Sequence, residues 1–153
     1  ARDHLVQKGC SSALINFGGN IATIGEKQNG ESWQVGVQNP LAKRGEFIGT
    51  VSLTDQTMVT SGVNERFFIR DGKRYHHILD PRTCRPADSS LLSVMVVGNR
   101  SIDMDALSTA LFVLGPDEGS KLAIQTGCHA LFILTNREIF ATEGFTKMPK
   151  RKV

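Results

Sequence analysis

Two histidines, one aspartate, two arginines and two prolines fall within twelve residues, Tyr75-His76-His77-Ile78-Leu79-Asp80-Pro81-Arg82-Thr83-Cys84-Arg85-Pro86. Imidazole exchanges a proton near neutral pH, so either His76 or His77 is a candidate general base. Pro81 and Pro86 fix φ and make the segment a rigid loop. Rigid surface loops often carry functional side chains. The same residues also describe a constrained turn holding one structural histidine, and residue types alone leave both readings open.

A second stretch, Asp103-Met104-Asp105-Ala106-Leu107-Ser108-Thr109, opens an apolar segment with helical spacing. Residues four apart share a helix face, so Asp105 and Thr109 project one anionic and one neutral oxygen to the same side. Hard Mg²⁺ accepts such oxygens and often takes only one or two carboxylates, with water and phosphate filling the rest. The plainer alternative makes the aspartates helix caps or dipole partners and Thr109 a core residue. A third stretch, Asn16-Phe17-Gly18-Gly19-Asn20, follows an apolar run. Paired glycines let a backbone approach a phosphate, and they equally make a hairpin turn. Thr60-Ser61-Gly62 is a similar, weaker signal.

Other chemistries find no support. The sequence has no GxGxxG, P-loop or GxSxG motif. Cys10, Cys84 and Cys128 are odd in number and have no CxxC spacing, which argues against a disulfide scaffold and a zinc site. Buried free thiols are the expectation, with one disulfide left open.

The elements that must position these groups follow from length and pattern. A chain of 153 residues, 40% hydrophobic and 22% charged, is one globular domain. No apolar run is long enough to predict a membrane-spanning helix. The chain opens at Ala1 without a basic-then-apolar leader, which decides nothing about compartment. Lys147, Lys150, Arg151 and Lys152 supply four positive charges, so of the formal +3 the rest of the chain carries −1. Residues 147–153 are therefore expected to be a solvated basic tail on a body of 1–146, and no basic stripe suggests nucleic acid. Residues 1–9 read as a helix end stopped by Gly9. Strands are predicted at 12–17, 21–24, 33–38, 47–53, 57–60, 66–70, 91–97, 130–134 and 138–141, with a hairpin at Asp71-Gly72. Helices are predicted over 104–114 and 117–126, separated by Gly115-Pro116 and closed by Gly127. The sum is α+β: a largely antiparallel sheet with two helices late in the chain.

In order, ALINFGGNIATIG (13–25), WQVGVQNP (33–40), TSG (60–62), DGKRYHHILDPRTCRP (71–86), LLSVMVVG (91–98), DALSTALFVLGPDEG (105–119) and HALFIL (129–134) resemble the ApbE-like flavin transferases, or FAD:protein FMN transferases. The resemblance covers nearly the whole chain and implies a T-fold-like architecture. It implies FAD and Mg²⁺, with transfer of FMN from FAD to a Thr or Ser hydroxyl of a target flavoprotein and release of AMP. Some members instead hydrolyse FAD to FMN and AMP. By the same resemblance, Asp105 and Thr109 are metal ligands and His77 is the base. Asp80 orients the loop, and His76 flanks the site. Gly18, Gly19, Asn20, His77 and Ile78 line the flavin nucleotide, and Thr83 adds a hydroxyl. Asp103 matches no family position and is read as a helix cap.

Three departures stand out. Cys84 replaces the Gly of a Pro-Arg-Thr-Gly pattern, and strains the turn if the position needs φ > 0. Asn20 stands where many members carry Asp. Full-length members are about twice as long. The resemblance therefore implies an absent N-terminal half, with an adenine-stacking aromatic and a further metal ligand, supplied by a longer chain or a second one. A non-catalytic FAD-binding module is the alternative for this polypeptide. Many relatives are exported lipoproteins and others are cytoplasmic, so an exported or membrane-anchored location is favoured.

Overall fold

The computed structural model describes residues 1–145, so the basic tail of 147–153 lies outside the described residues. Gly18 and Gly19 have φ of 63° and 104°, a pair of positive values that glycine adopts without strain. The chain therefore reverses within two residues, joining β1 (Ala13–Phe17) to β2 (Asn20–Ile24) in an antiparallel hairpin. A short α1 (Arg2–Gln7) precedes them. These strands begin a six-stranded sheet that continues through β5 (Thr57–Gly62), β10 (Leu91–Gly98), β11 (His129–Leu134) and β12 (Ile139–Ala141). Every pairing in it is antiparallel. Three two-stranded sheets accompany it: β3 (Trp33–Gln38) with β4 (Phe47–Leu53), β6 (Phe67–Arg70) with β7 (Lys73–His76), and β8 (Leu79–Asp80) with β9 (Arg85–Pro86).

The continuous apolar run on β10 has both faces covered, with residues 91–97 all buried. Alternation along the strand separates the two faces. Val94 pairs with Ser61 of β5, whose hydroxyl meets the helix α2 (Ser101–Thr126), so Val94 and Val96 face that helix. Val97 points the other way and shares a small cavity with Val51 of β4. The inward residues of the β3–β4 hairpin, Val35, Val37, Val51 and Leu53, join the same core as Leu111 and Phe112 of α2. No helix among the described residues is long and apolar enough to cross a membrane.

The two predicted helices are both present within α2, divided at Gly115, whose φ of 81° and ψ of 179° are non-helical. Pro116 follows, and Gly127 in the left-handed conformation closes the helix. Its start differs from the expectation. The helix begins at Ser101, three residues early, so Asp103 lies in the first turn and is not the cap. Arg100 holds the cap position with no side-chain cap hydrogen bond. Asp103 instead pairs with Arg100 at 3.3 Å, and its charge suits the positive end of the helix dipole.

The break supplies a test of backbone strain. A Cβ at Gly115 would sit 3.5 Å from the Ser89 carbonyl oxygen, an ordinary contact, so the conformation rather than space excludes other residues. Gly115→Ala is expected to lower stability by about 1–3 kcal/mol in urea denaturation, with an unchanged m-value.

Candidate functional site

Three separate stretches meet the first half of α2. The Gly18-Gly19 turn is fastened there by Ser101, whose hydroxyl donates to Asn20 Oδ1 at 2.6 Å. Strand β5 is fastened by Ser61, whose Oγ lies 2.9 Å from Ser108 Oγ and 3.4 Å from Thr109 Oγ1. The histidine loop is fastened by His76, whose ring meets Phe112 edge-on at 5.6 Å between centroids. From Ser101 to Phe112 is a rise of about 16 Å along the helix. The stretches singled out in the sequence are thus aligned along one helix.

The histidine loop is rigid for reasons readable residue by residue. Asp80 pairs with Arg85 and Leu79 with Pro86, closing a minimal hairpin. Asp80 Oδ1 accepts from the Arg82 main-chain N–H at 2.9 Å, and its carboxylate takes a forked contact from the Arg82 guanidinium, down to 2.8 Å. Those side-chain and main-chain hydrogen bonds from Arg82 hold the Asp80 pKa below its usual value, and the same pairing raises that of Arg82. Its main-chain carbonyl also accepts from Cys84 N–H at 2.8 Å. Asp80 therefore orients the loop. Cys84 has φ of 54°, so this turn does require the left-handed region that glycine fills more cheaply. Its thiol is exposed.

His77 is exposed, and its Nδ1 lies 3.1 Å from the Arg66 carbonyl oxygen. A carbonyl only accepts, so Nδ1 carries the proton and Nε2 keeps the lone pair a base requires. His76 is oriented oppositely. Its Nε2 donates to the Ala87 carbonyl oxygen at 3.1 Å, while Nδ1 is buried without a partner among the described residues. Burial, the largest influence, lowers the His76 pKa.

Asp105 and Thr109 are both exposed on the helix. The Asp105 carboxylate makes no ion pair or hydrogen bond among the described residues, and the Thr109 hydroxyl has only the long contact to Ser61. Hard oxygens of this kind fit Mg²⁺ with water and phosphate completing the shell. They are one carboxylate and one hydroxyl, and no group of three or more His, Cys, Asp or Glu that could hold a metal occurs among the described residues.

Other expected site residues are placed less simply. The Ile78 side chain is buried in the core, 4% exposed, so it supports the loop from beneath and can offer a ligand only its main chain. The Gly19 N–H is already taken by Asn16 Oδ1 at 3.1 Å. Thr83 Oγ1 is exposed and accepts from Arg85 N–H at 3.3 Å. Ser101 and Ser108 escape sequence reasoning because a serine on an apolar helix has no signature of its own. The only hint is the hydroxyl pattern in TSG, which faces them from β5.

Two outcomes follow from this loop. Cys84→Val is expected to lower stability by about 1–2 kcal/mol and Cys84→Gly not to lower it, as measured by thermal denaturation. The depressed Asp80 pKa means the clamp is complete above 3.8 and is lost only as pH falls through the lower folded value. The Arg82 Nε–H signal in NMR should therefore stay protected from exchange down through pH 3.8, and in Asp80→Asn it should exchange freely at every pH.

A family model described as the ApbE family matches residues 1–132. The chain is 43% identical over 139 residues to a FAD:protein FMN transferase of Klebsiella pneumoniae, covering 90% of this chain and 42% of the relative. It is 42% identical over 142 residues to one of Treponema pallidum, covering 87% and 39%. The chain thus spans about two fifths of the length of these curated relatives. Among solved structures it is similar to the ApbE protein of Thermotoga maritima, with TM-score 0.81, 34% identity, and coverage of 90% of this chain and 45% of that one. It is also similar to the apo form of the Pseudomonas stutzeri flavinyl transferase ApbE, with TM-score 0.75, 34% identity, and coverage of 94% and 45%. Fold, motif order and family match agree, and the chain belongs to the ApbE family.

Proposed function

We propose that this chain forms the part of a flavin transferase that holds the FAD diphosphate, the metal and the base, and that it serves Mg²⁺-dependent transfer of FMN from FAD to a Thr or Ser of an acceptor protein. The observation that supports it is the alignment of the Gly18-Gly19 turn, Ser61 and the histidine loop along the helix that carries Asp105 and Thr109. That arrangement suits one extended dinucleotide better than three unrelated sites.

Asp105 and Thr109 are the residues that would hold Mg²⁺. The ion, when bound, neutralises charge on the diphosphate and on the departing phosphate oxygen. The chain's own groups do the rest. His77 takes the proton from the acceptor hydroxyl at Nε2, while the Arg66 carbonyl fixes Nδ1–H. The hydroxyl oxygen then bonds to the phosphorus of the FMN portion, the diphosphate P–O bond breaks, and AMP leaves with the bridging oxygen. Asn20 and Thr83 offer neutral hydrogen-bonding groups near the nucleotide. Asp80 and Arg82 satisfy each other and keep the loop in place. Phosphoryl transfer depends mainly on such positioning and charge stabilisation.

The test incubates the chain with FAD, Mg²⁺ and a threonine-containing acceptor peptide, and reads peptide-bound flavin by mass and AMP by chromatography. The expected result is both products, lost on chelation. His77→Ala should slow transfer by about 100- to 10,000-fold, and Asp105→Asn should abolish the Mg²⁺-dependent transfer. AMP with free FMN alone would identify an FAD hydrolase. FAD binding without AMP would identify a binding module.

A further inference from the structure

His76 precedes the proposed base and differs from it in every contact. Its ring is half-buried between the end of β7 and α2, donating Nε2–H to the Ala87 carbonyl oxygen at 3.1 Å. Ala87 closes the far side of the histidine loop, where its own N–H donates to the Ile78 carbonyl at 3.0 Å. The ring edge rests on Phe112, with centroids 5.6 Å apart and planes at 78°. Phe112 is fully buried and lies seven residues after Asp105 and three after Thr109, hence on the same helix face. One side chain therefore touches both sides of the loop's base and the helix that carries the oxygen ligands. Its buried Nδ1 meets no partner among the described residues, although a histidine serving only as filler could be replaced by an apolar residue without that cost.

The geometry points to His76 as a positioning residue: its neutral imidazole, through Ala87 and Phe112, sets where His77 stands relative to the Asp105–Thr109 face. This rests on the proposal that His77 and Asp105 serve one site. His76 touches no reacting atom. It acts by holding the main chain from 77 to 87 against α2, so that the position of His77 follows from packing and not from a flexible loop.

NMR on the full 153-residue chain tests this with no flavin present. In the wild type, ring ¹⁵N shifts should show His76 protonated at Nε2 and bare at Nδ1. In His76→Ala, amide exchange over 80–87 should rise about fivefold, the equivalent of one hydrogen bond. The His77 ring signals should move, while β3–β4 amides stay unchanged. His76→Gln, whose amide can reach the Ala87 carbonyl, should restore the His77 signals. An Nδ1–H tautomer, unmoved His77 signals, or exchange that rises equally in β3–β4 would overturn the assignment. Should His76→Ala fail to fold, His76→Gln decides alone: wild-type His77 signals support the assignment and displaced ones contradict it. Because no readout uses FAD, loss of the transfer reading and loss of this one are separable.

Discussion

The packing of α2 across β5 and β10 is the constraint on which the rest of the structure depends. Leu111, Phe112 and Ala123 are fully buried beneath it, and burying each larger apolar side chain contributes about 1.5–3 kcal/mol. That burial is non-directional and would tolerate sliding of the helix along its groove. The polar contacts add the direction. Ser101 to Asn20 and Ser108 to Ser61 fix the helix along and across the sheet, because both contacts break if the helix slips. The exposed groups at the edge of that same face, Asp105 and Thr109, inherit that precision.

The loop is held by a second device of a different kind. Its rigidity comes from Asp80, which closes the turn with its side chain and main chain together, and from prolines that remove conformations before folding begins. Cys84 works against this, since its left-handed backbone costs more than a glycine would there. The loop tolerates it because Ile78 and His76 fasten its base to the core and to α2. Strain at the tip is thus offset by packing at the root, an arrangement common where a rigid loop carries chemistry.

Much of this was legible in the residues. Period-two runs and glycine turns predict the sheet, because side-chain alternation and φ > 0 are local properties; WQVGVQ and FIGTVSL fall within the observed β3 and β4. The break at Gly115-Pro116 is legible for the same reason. The helix start is not: only Asn99 and Arg100 separate it from β10, and the tertiary contact from Ser101 to Asn20 stands where no side-chain cap hydrogen bond forms. Ile78 illustrates the limit for the site. The family resemblance implies that it lines the nucleotide, yet its side chain is buried in the core. The opposed tautomers of His76 and His77 are likewise invisible in sequence, since each is set by a carbonyl about ten residues away.

The central claim is that three segments distant in sequence make one nucleotide site along α2. Amide chemical-shift mapping with FAD, with and without Mg²⁺, tests it most directly because it detects even weak binding. The account predicts that Gly18–Asn20, His77–Cys84 and Asp105–Thr109 shift together along one binding curve, and that Mg²⁺ strengthens it. Shifts confined to one of these segments, or centred on the separate cavity between α1 and Asp55, would contradict it.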